Sequence, residues 1–270
     1  MTTDSATPRD LRDLDDHALA AHLAGAAGRL LIELRAASVA NGARGWVLEQ
    51  AGDMAANRFL VDALREARPD DSLLSEEEYE RPATTEARLA SRRVWIIDPL
   101  DGTREFGQPE RTDWAVHIAL TIDGEPVAGA VGLPADDVVF DTATVTPAVH
   151  SPEPGRGLRV VTSRTRPPNV SIAIAEALGA ELVPMGSAGA KAMAVLRGDA
   201  DVYAHAGGQY EWDSCAPVAV CRSAGLWCSR IDGSPLVYNR ADPYLPDLLI
   251  CDPTVRDTAL AAAQLPPWLM

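Results

Sequence analysis

Apolar positions recur along the chain first at helical spacing and then at strand spacing. From Leu14 to about Ala40, the residues Leu19, Leu23, Leu30, Ile32 and Leu34 fall among alanines at intervals near three and four. That period predicts a helix, ended by Asn41, Gly42 and Gly45. Residues 1–13 before it read as a frayed tail. A second helix is expected from Asp53 to Arg68, with Phe59, Leu60, Ala63 and Leu64 inward and Pro69-Asp70-Asp71 as its stop. The pattern then shortens. Ser72-Leu73-Leu74 is a brief apolar run, and Val94-Trp95-Ile96-Ile97 is apolar throughout and stops at Asp98. Trp114–Ile122, Val127–Leu133 and Val138–Phe140 are separated by the turns Asp123-Gly124 and Asp136-Asp137, which predicts an antiparallel meander.

Three prolines and two glycines fall between Pro147 and Gly157. They mark a boundary between an N-terminal α+β unit, 1–150, and a C-terminal unit, 151–270. Beyond it, strand-like runs at Leu158–Val161, Glu181–Pro184, Asp201–Ala204, Leu226–Ser229 and Leu248–Cys251 are interleaved with helical ones. The helices are expected at Val170–Leu178, at Ser187–Arg197 with Ser187 as cap, and at Glu211–Ala224. This alternation predicts a layered α/β half.

Composition narrows the function. Hydrophobic residues make up 47% of the 270, enough for a sizeable core. The formal charge of −15 repels polyanions and argues against a nucleic-acid partner. An acidic protein that takes an anionic substrate must gather positive charge locally, as Arg, Lys or metal ions. The four cysteines, Cys215, Cys221, Cys228 and Cys251, form no CxxC pair and no zinc spacing, so they read as reduced, buried thiols. No apolar run approaches the roughly 20 residues of a membrane helix. The polar, acidic N-terminus is unlike a targeting peptide. A cytoplasmic protein without membrane partners is expected.

One segment concentrates chemistry: Trp95-Ile96-Ile97-Asp98-Pro99-Leu100-Asp101-Gly102-Thr103. An apolar strand delivers two carboxylates, a glycine and a hydroxyl. Pro99 stiffens the turn and restricts Asp98 to extended geometry, and Gly102 lets backbone approach a ligand. Asp98, Asp101 and the Leu100 carbonyl between them offer the oxygen atoms that hard divalent cations take. Leu100 breaks the alternation an EF-hand loop requires. Ser75-Glu76-Glu77-Glu78 again places carboxylates at a strand end, although a solvated acidic surface would look the same. Glu211-Trp212-Asp213 opens a helix, where Asp213 is a metal ligand or a plain capping residue.

The runs WIIDPLDGT, SEE upstream and EWD downstream, in that order, resemble the inositol monophosphatase superfamily over about Asp15 to Cys251. DPLDGTREF (Asp98–Phe106) and GSAGAKAMAV (Gly186–Val195) are similar to its CysQ-type 3′(2′),5′-bisphosphate nucleotidase branch in the actinobacterial form. The resemblance implies an αβαβα sugar-phosphatase fold and a magnesium-dependent phosphatase with two to three Mg2+ per site, inhibited by Li+ and Ca2+. It implies that Glu76, Asp98 and the Leu100 carbonyl hold a first metal, and Asp98, Asp101 and Asp213 a second. Glu76, or Thr103 paired with Asp53, would activate the attacking water. Gly102 and Thr103 would bind phosphate through backbone N–H groups, with Ser163, Arg164, Ser187 and Lys191 on the substrate side. Glu49 stands where the family usually has threonine, a departure that bears on Asp53.

Other mechanisms lack their motifs. There is no GxxxxGK[ST], no third glycine after Gly155 and Gly157, no GxSxG and no HExxH. The five histidines show no ligand spacing. Three readings stand: hydrolysis of the 3′-phosphate of adenosine 3′,5′-bisphosphate or 3′-phosphoadenylyl sulfate; a phosphatase of inositol monophosphate or fructose 1,6-bisphosphate; and a metal-binding regulator without turnover. A homodimer could use exposed apolar surface in the meander.

Overall fold

Val94 and Ile96 point to one side of their strand and Trp95 and Ile97 to the other, and both sides are buried in different cores. Side chains alternate across a strand, so a run that is apolar throughout belongs in the middle of a stack of layers. The computed structural model describes residues 10–79, 82–148 and 155–264. In chain order these form α1 (Asp16–Ala40), α2 (Trp46–Ala67), β1 (Ser72–Ser75), α3 (Pro82–Ala90), β2 (Arg93–Asp101), α4 (Thr103–Phe106), β3 (Ala115–Ile122), β4 (Glu125–Leu133) and β5 (Val138–Asp141). Then come β6 (Arg159–Ser163), α5 (Asn169–Leu178), β7 (Glu181–Met185), α6 (Ala188–Leu196), β8 (Val202–Tyr210), α7 (Glu211–Ser223), β9 (Trp227–Ser229), β10 (Tyr244–Cys251) and α8 (Arg256–Ala263).

The strands build two mixed sheets. The first has the order β1-β2-β3-β4-β5, with β1 parallel to β2 and the rest antiparallel. The second has the order β7-β6-β8-β10-β9, with β6 parallel to β7 and β8 and β10 antiparallel to its neighbours. Leu19, Leu23 and Leu31 of α1 and Leu60 and Leu64 of α2 pack on the Trp95 face of the first sheet. Met193 of α6 and Cys215, Val218 and Val220 of α7 fill the space between the sheets, against Val94 and Ile96 on one side and Tyr203, Leu248 and Ile250 on the other. Val170 and Ile174 of α5 and Ala259 of α8 close the outer face of the second sheet. The layers therefore run helix, sheet, helix, sheet, helix, as the resemblance implied.

The meander and the alternating second half appear where the periodicity put them. Several boundaries differ. The second helix begins at Trp46, not Asp53, because Gly45, at φ 54°, makes the entry turn and Glu49 supplies the first-turn acid. Asp53 thus lies inside the helix. Strand β8 runs on through Gly207 and Gly208 to Tyr210, beyond the expected Asp201–Ala204 run. Strand β10 starts at Tyr244, and its register shifts between Leu245 and Asp247, around Pro246, which cannot donate to the ladder. Leu11–Asp13 forms a 3-10 turn in the segment read as a tail, and residues 1–9 lie outside those described. Most of the expected boundary segment lies outside them as well. Helices α3 and α8 have no counterpart in the apolar pattern. Among the described residues, no helix is long and apolar enough to cross a membrane. The exposed large apolar side chains include Trp46, Val47 and Met54 on α2 and Val127 in the meander.

Two contacts hold the loop after β2 against the helices. A Cβ on Gly52 of α2 would meet Phe106 at 2.7 Å and Leu100 at 2.8 Å, so only glycine lets α2 come this close. Arg35 of α1 is buried and donates to four backbone oxygens of that loop: Phe106 at 3.0 Å, Arg111 at 3.0 Å, Glu105 at 3.2 Å and Gln108 at 2.5 Å. Carbonyls past a short helix need donors, and one planar guanidinium serves all four. Arg35→Ala is expected to cost about 3 kcal/mol in urea unfolding, because it strands buried acceptors. Arg35→Lys should recover little of that loss, since an ammonium lacks the fork.

Candidate metal centre

In a regular strand Asp98 and Asp101, three residues apart, would face opposite ways. The ladder between β2 and β3 is irregular between these two residues, and the irregularity turns both carboxylates to one place. Asp98 is further set by accepting the Leu100 N–H at 3.1 Å on Oδ1. Gly102, at φ 87°, then reverses the chain into α4. The third carboxylate arrives from the other half of the sequence. Asp213 sits in the first turn of α7, where its Oδ2 accepts the Tyr210 N–H at 2.7 Å. It is therefore a capping residue and also a neighbour of the aspartates. One oxygen each of Asp98, Asp101 and Asp213 lie within 4.8 Å of one another.

These three line a cavity of about 330 Å³ together with Glu76, Leu100, Gly102, Thr103, Arg104 and Glu105. Glu76 reaches it from the end of β1, whose Ser75 is anchored by a 2.7 Å hydrogen bond to Asn57 of α2. All five residues expected to hold metal, and both expected to grip phosphate, thus meet in one place. The Thr103 hydroxyl donates to the Leu100 carbonyl at 3.3 Å and makes no hydrogen bond to Asp53 among the described residues. Asp53 lies half-buried inside α2, close enough to Glu77 and Glu49 for their charges to act on it.

The substrate-side candidates are placed around this cavity without lining it. Ser187 caps α6 and turns its hydroxyl to Asp101 Oδ2 at 2.5 Å. Lys191 is buried and spends its ammonium on the carbonyls of Gly186 at 2.9 Å and Ser187 at 2.7 Å. Arg164 pairs with Glu105 at 2.6 Å, and the Ser163 hydroxyl accepts the Arg166 N–H at 3.3 Å. Glu211 is buried and accepts the N–H groups of Asn239 and Arg240 at 2.7 and 2.8 Å.

Sequence reasoning did not single out His117, Arg104 or Glu105. His117 lies on β3, its Nδ1 3.0 Å from the Trp212 carbonyl and its Nε2 3.2 Å from Asp101 Oδ2. With the Gly189 N–H at 2.6 Å on that same oxygen, Asp101 is fixed on one side only. The available signal was a histidine inside an otherwise apolar strand.

Electrostatics shows why the site fits a cation. Burial, reinforced by the charges of Glu76, Asp101 and Asp213, pushes the Asp98 carboxyl well above its ordinary range. Burial and the neighbouring Asp213, Glu77, Asp53 and Asp101 raise Glu76 to about 8. Asp213, buried beside Asp101, rises to about 7, and Asp53, buried beside Glu77 and Glu49, also rises to about 7. Asp101 goes the other way: burial opposes its charge, but the His117 ring, the Ser187 hydroxyl and the Gly189 N–H outweigh burial and hold it low. Hard, anionic oxygen ligands that cannot all ionise side by side are the donor set that Mg2+ or a similar ion satisfies.

Residues 22–264 match the model of the inositol monophosphatase family. A Mycobacterium bovis protein named 3′-phosphoadenosine 5′-phosphate phosphatase is 51% identical over 243 residues, covering 87% of this chain and 88% of that one. The Escherichia coli K12 protein named 3′(2′),5′-bisphosphate nucleotidase CysQ is 32% identical over 205 residues, covering 72% of this chain and 81% of that one. Among solved structures, CysQ from Bacteroides thetaiotaomicron, described as a bacterial member of the same family, superposes with a TM-score of 0.72 at 24% identity, covering 87% of this chain and 96% of that one.

A carboxyl with a raised pKa in the folded chain holds its proton more tightly there than when unfolded. Stability contributed by the protonated form is then lost as pH rises from the ordinary carboxylate range through the folded value. Without divalent ions, the melting temperature is expected to fall by about 5 °C or more between pH 5 and pH 8.5, as Glu76, Asp213 and Asp53 are forced to ionise. The Asp101 contribution is lost only in stronger acid, outside this window. Saturating Mg2+ should remove most of the slope. Thermal melts with chelator and with Mg2+ test this, and equal slopes in the two would contradict it.

Proposed function

The chain belongs to the inositol monophosphatase family, and on that premise we propose that it is a magnesium-dependent phosphatase that removes the 3′-phosphate of adenosine 3′,5′-bisphosphate. The observation that carries the reading is the convergence of Asp98, Asp101 and Asp213, from distant parts of the chain, on one cavity with Glu76. Glu76, Asp98 and the Leu100 carbonyl would hold one ion, and Asp98, Asp101 and Asp213 a second. Ions held by these residues would supply an acidified water and would offset charge on the phosphate oxygens.

The protein's own groups then have distinct tasks. Glu76 stands at the cavity wall as the acceptor for the attacking water's proton. The Thr103 hydroxyl gives its hydrogen to Leu100, which leaves its oxygen free to accept one from that water and orient it. The N–H groups of Gly102 and Thr103, at the start of α4, lack helical partners and receive phosphate oxygens. Asp101 would have its outer oxygen available to hold an ion, while His117, Ser187 and Gly189 hold the inner one. Most of the rate enhancement is positioning and electrostatics rather than covalent chemistry. Li+ and Ca2+ inhibit in this reading because they occupy the same oxygens with different charge or geometry. The names of the two relatives, both nucleotide phosphatases, support the nucleotide substrate.

A phosphate-release assay with Mg2+ on adenosine 3′,5′-bisphosphate, inositol monophosphate and fructose 1,6-bisphosphate tests the substrate. At least tenfold preference in kcat/KM for the nucleotide is expected. Comparable or faster release from either of the others would move the activity to polyol or sugar phosphates. In the same assay Asp98→Asn should lower kcat by orders of magnitude with an unchanged circular dichroism spectrum. A variant as fast as the parent would defeat the metal assignment.

A further inference from the structure

Five carboxylates line the cavity, Glu76, Asp98, Asp101, Glu105 and Asp213, and Arg104 is the one cationic side chain among its lining residues. Glu105 is neutralised by Arg164 at 2.6 Å. Two divalent cations would offset the other four and leave no positive charge over. A substrate with one phosphate at the ions and a second anion elsewhere therefore needs another cation in a protein whose net charge is already −15.

Four cations around the site are committed to partners within the protein, while the exposed Arg166 and Arg240 do not line the cavity and Arg104 does. Arg164 is on Glu105, and Arg111 is on Asp113. Lys191, the only lysine in the chain, is buried on two carbonyls. Arg35 is spent on the loop carbonyls. Arg104 is exposed, and its guanidinium has no acceptor among the described residues, while its own carbonyl accepts from Gln108 Nε2 at 3.2 Å. It follows directly on Thr103, so its side chain begins one residue from the group that faces the reacting phosphate. A planar guanidinium matches a phosphate or sulfonate with paired hydrogen bonds.

We propose that Arg104 receives the second anionic group of a doubly charged substrate, and so selects bisphosphates over monophosphates at this centre. The proposal rests on the phosphatase reading above and adds to it the feature that distinguishes substrates. Arg104 touches neither the ions nor the reacting phosphate in this scheme, so its removal acts on substrate binding and not on turnover.

The test compares parent, Arg104→Gln and Arg104→Lys on two pairs: adenosine 3′,5′-bisphosphate against adenosine 3′-monophosphate, and fructose 1,6-bisphosphate against fructose 1-phosphate. For the bisphosphate the parent prefers, Arg104→Gln should raise KM about tenfold or more with kcat within twofold, and leave the matching monophosphate unchanged. Arg104→Lys should fall between. Inhibition by the product adenosine 5′-monophosphate should weaken in parallel, whereas inhibition by inorganic phosphate should not. If the parent prefers the adenosine bisphosphate and Arg104→Gln keeps that preference, the role of Arg104 is overturned and the substrate reading stands. If the preference and its loss appear only with the fructose pair, Arg104 keeps its role and the nucleotide reading falls. A parent indifferent to the second phosphate in both pairs overturns the proposal outright.

Discussion

Mutual repulsion among carboxylates held in one buried pocket is the constraint around which this molecule is arranged. Asp98, Asp101 and Asp213 offer oxygens within 4.8 Å of one another, with Glu76 on the same wall. Burial first, and then their neighbours' charges, make such groups take up protons when left alone, and the upward displacement of Asp98, Glu76 and Asp213 is that response. A fold tolerates this only where the backbone leaves the side chains no alternative. The irregular ladder at the end of β2, the left-handed Gly102 and the first turn of α7 remove the alternatives here.

The layers supply the rigidity. Asp101 belongs to the first sheet, yet its inner oxygen is held by Ser187 and Gly189 at the head of α6, a helix that packs against both sheets. His117 ties the same oxygen to the Trp212 carbonyl, beside Asp213. From the other side, Gly52 admits α2 onto Leu100 and Phe106, and Arg35 fixes carbonyls at the end of α4 and beyond it. Asp101 and Asp213 are thus oriented by neighbours that do not themselves line the cavity, which is how preorganised sites keep their ligands in place.

Much of this was legible in the chain. The fully apolar Val94–Ile97 run announced a strand buried on both faces, and DPLDGT at its end announced the carboxylates that the structure brings together. Motif order placed Glu76 and Asp213 in the same centre although 137 positions separate them in the sequence. Other features were illegible for identifiable reasons. Helix α3 opens on Pro82, a favourable first helical residue, but its polar run carries no apolar period. Helix α8 is half alanine and shows little contrast between faces. The start of α2 was misplaced because Gly42 and Gly45 look like a long interruption, when Gly45 alone makes the entry turn. Lys191 was placed on the substrate side by resemblance, with a structural role equally open, and in the structure its ammonium lies on the carbonyls of Gly186 and Ser187. No single-residue signal distinguishes a lysine that faces a cavity from one that staples a turn.

The most direct check on the central claim is a crystal structure grown with Mn2+ in place of Mg2+, read by anomalous scattering. The account predicts strong peaks at roughly 2.0–2.3 Å from oxygens of Asp98, Asp101 and Asp213, with a further peak sharing Asp98 and reaching Glu76 and the Leu100 carbonyl. Carboxylates that remain protonated around an ion-free cavity in saturating Mn2+, or a peak bound only elsewhere on the acidic surface, would contradict it.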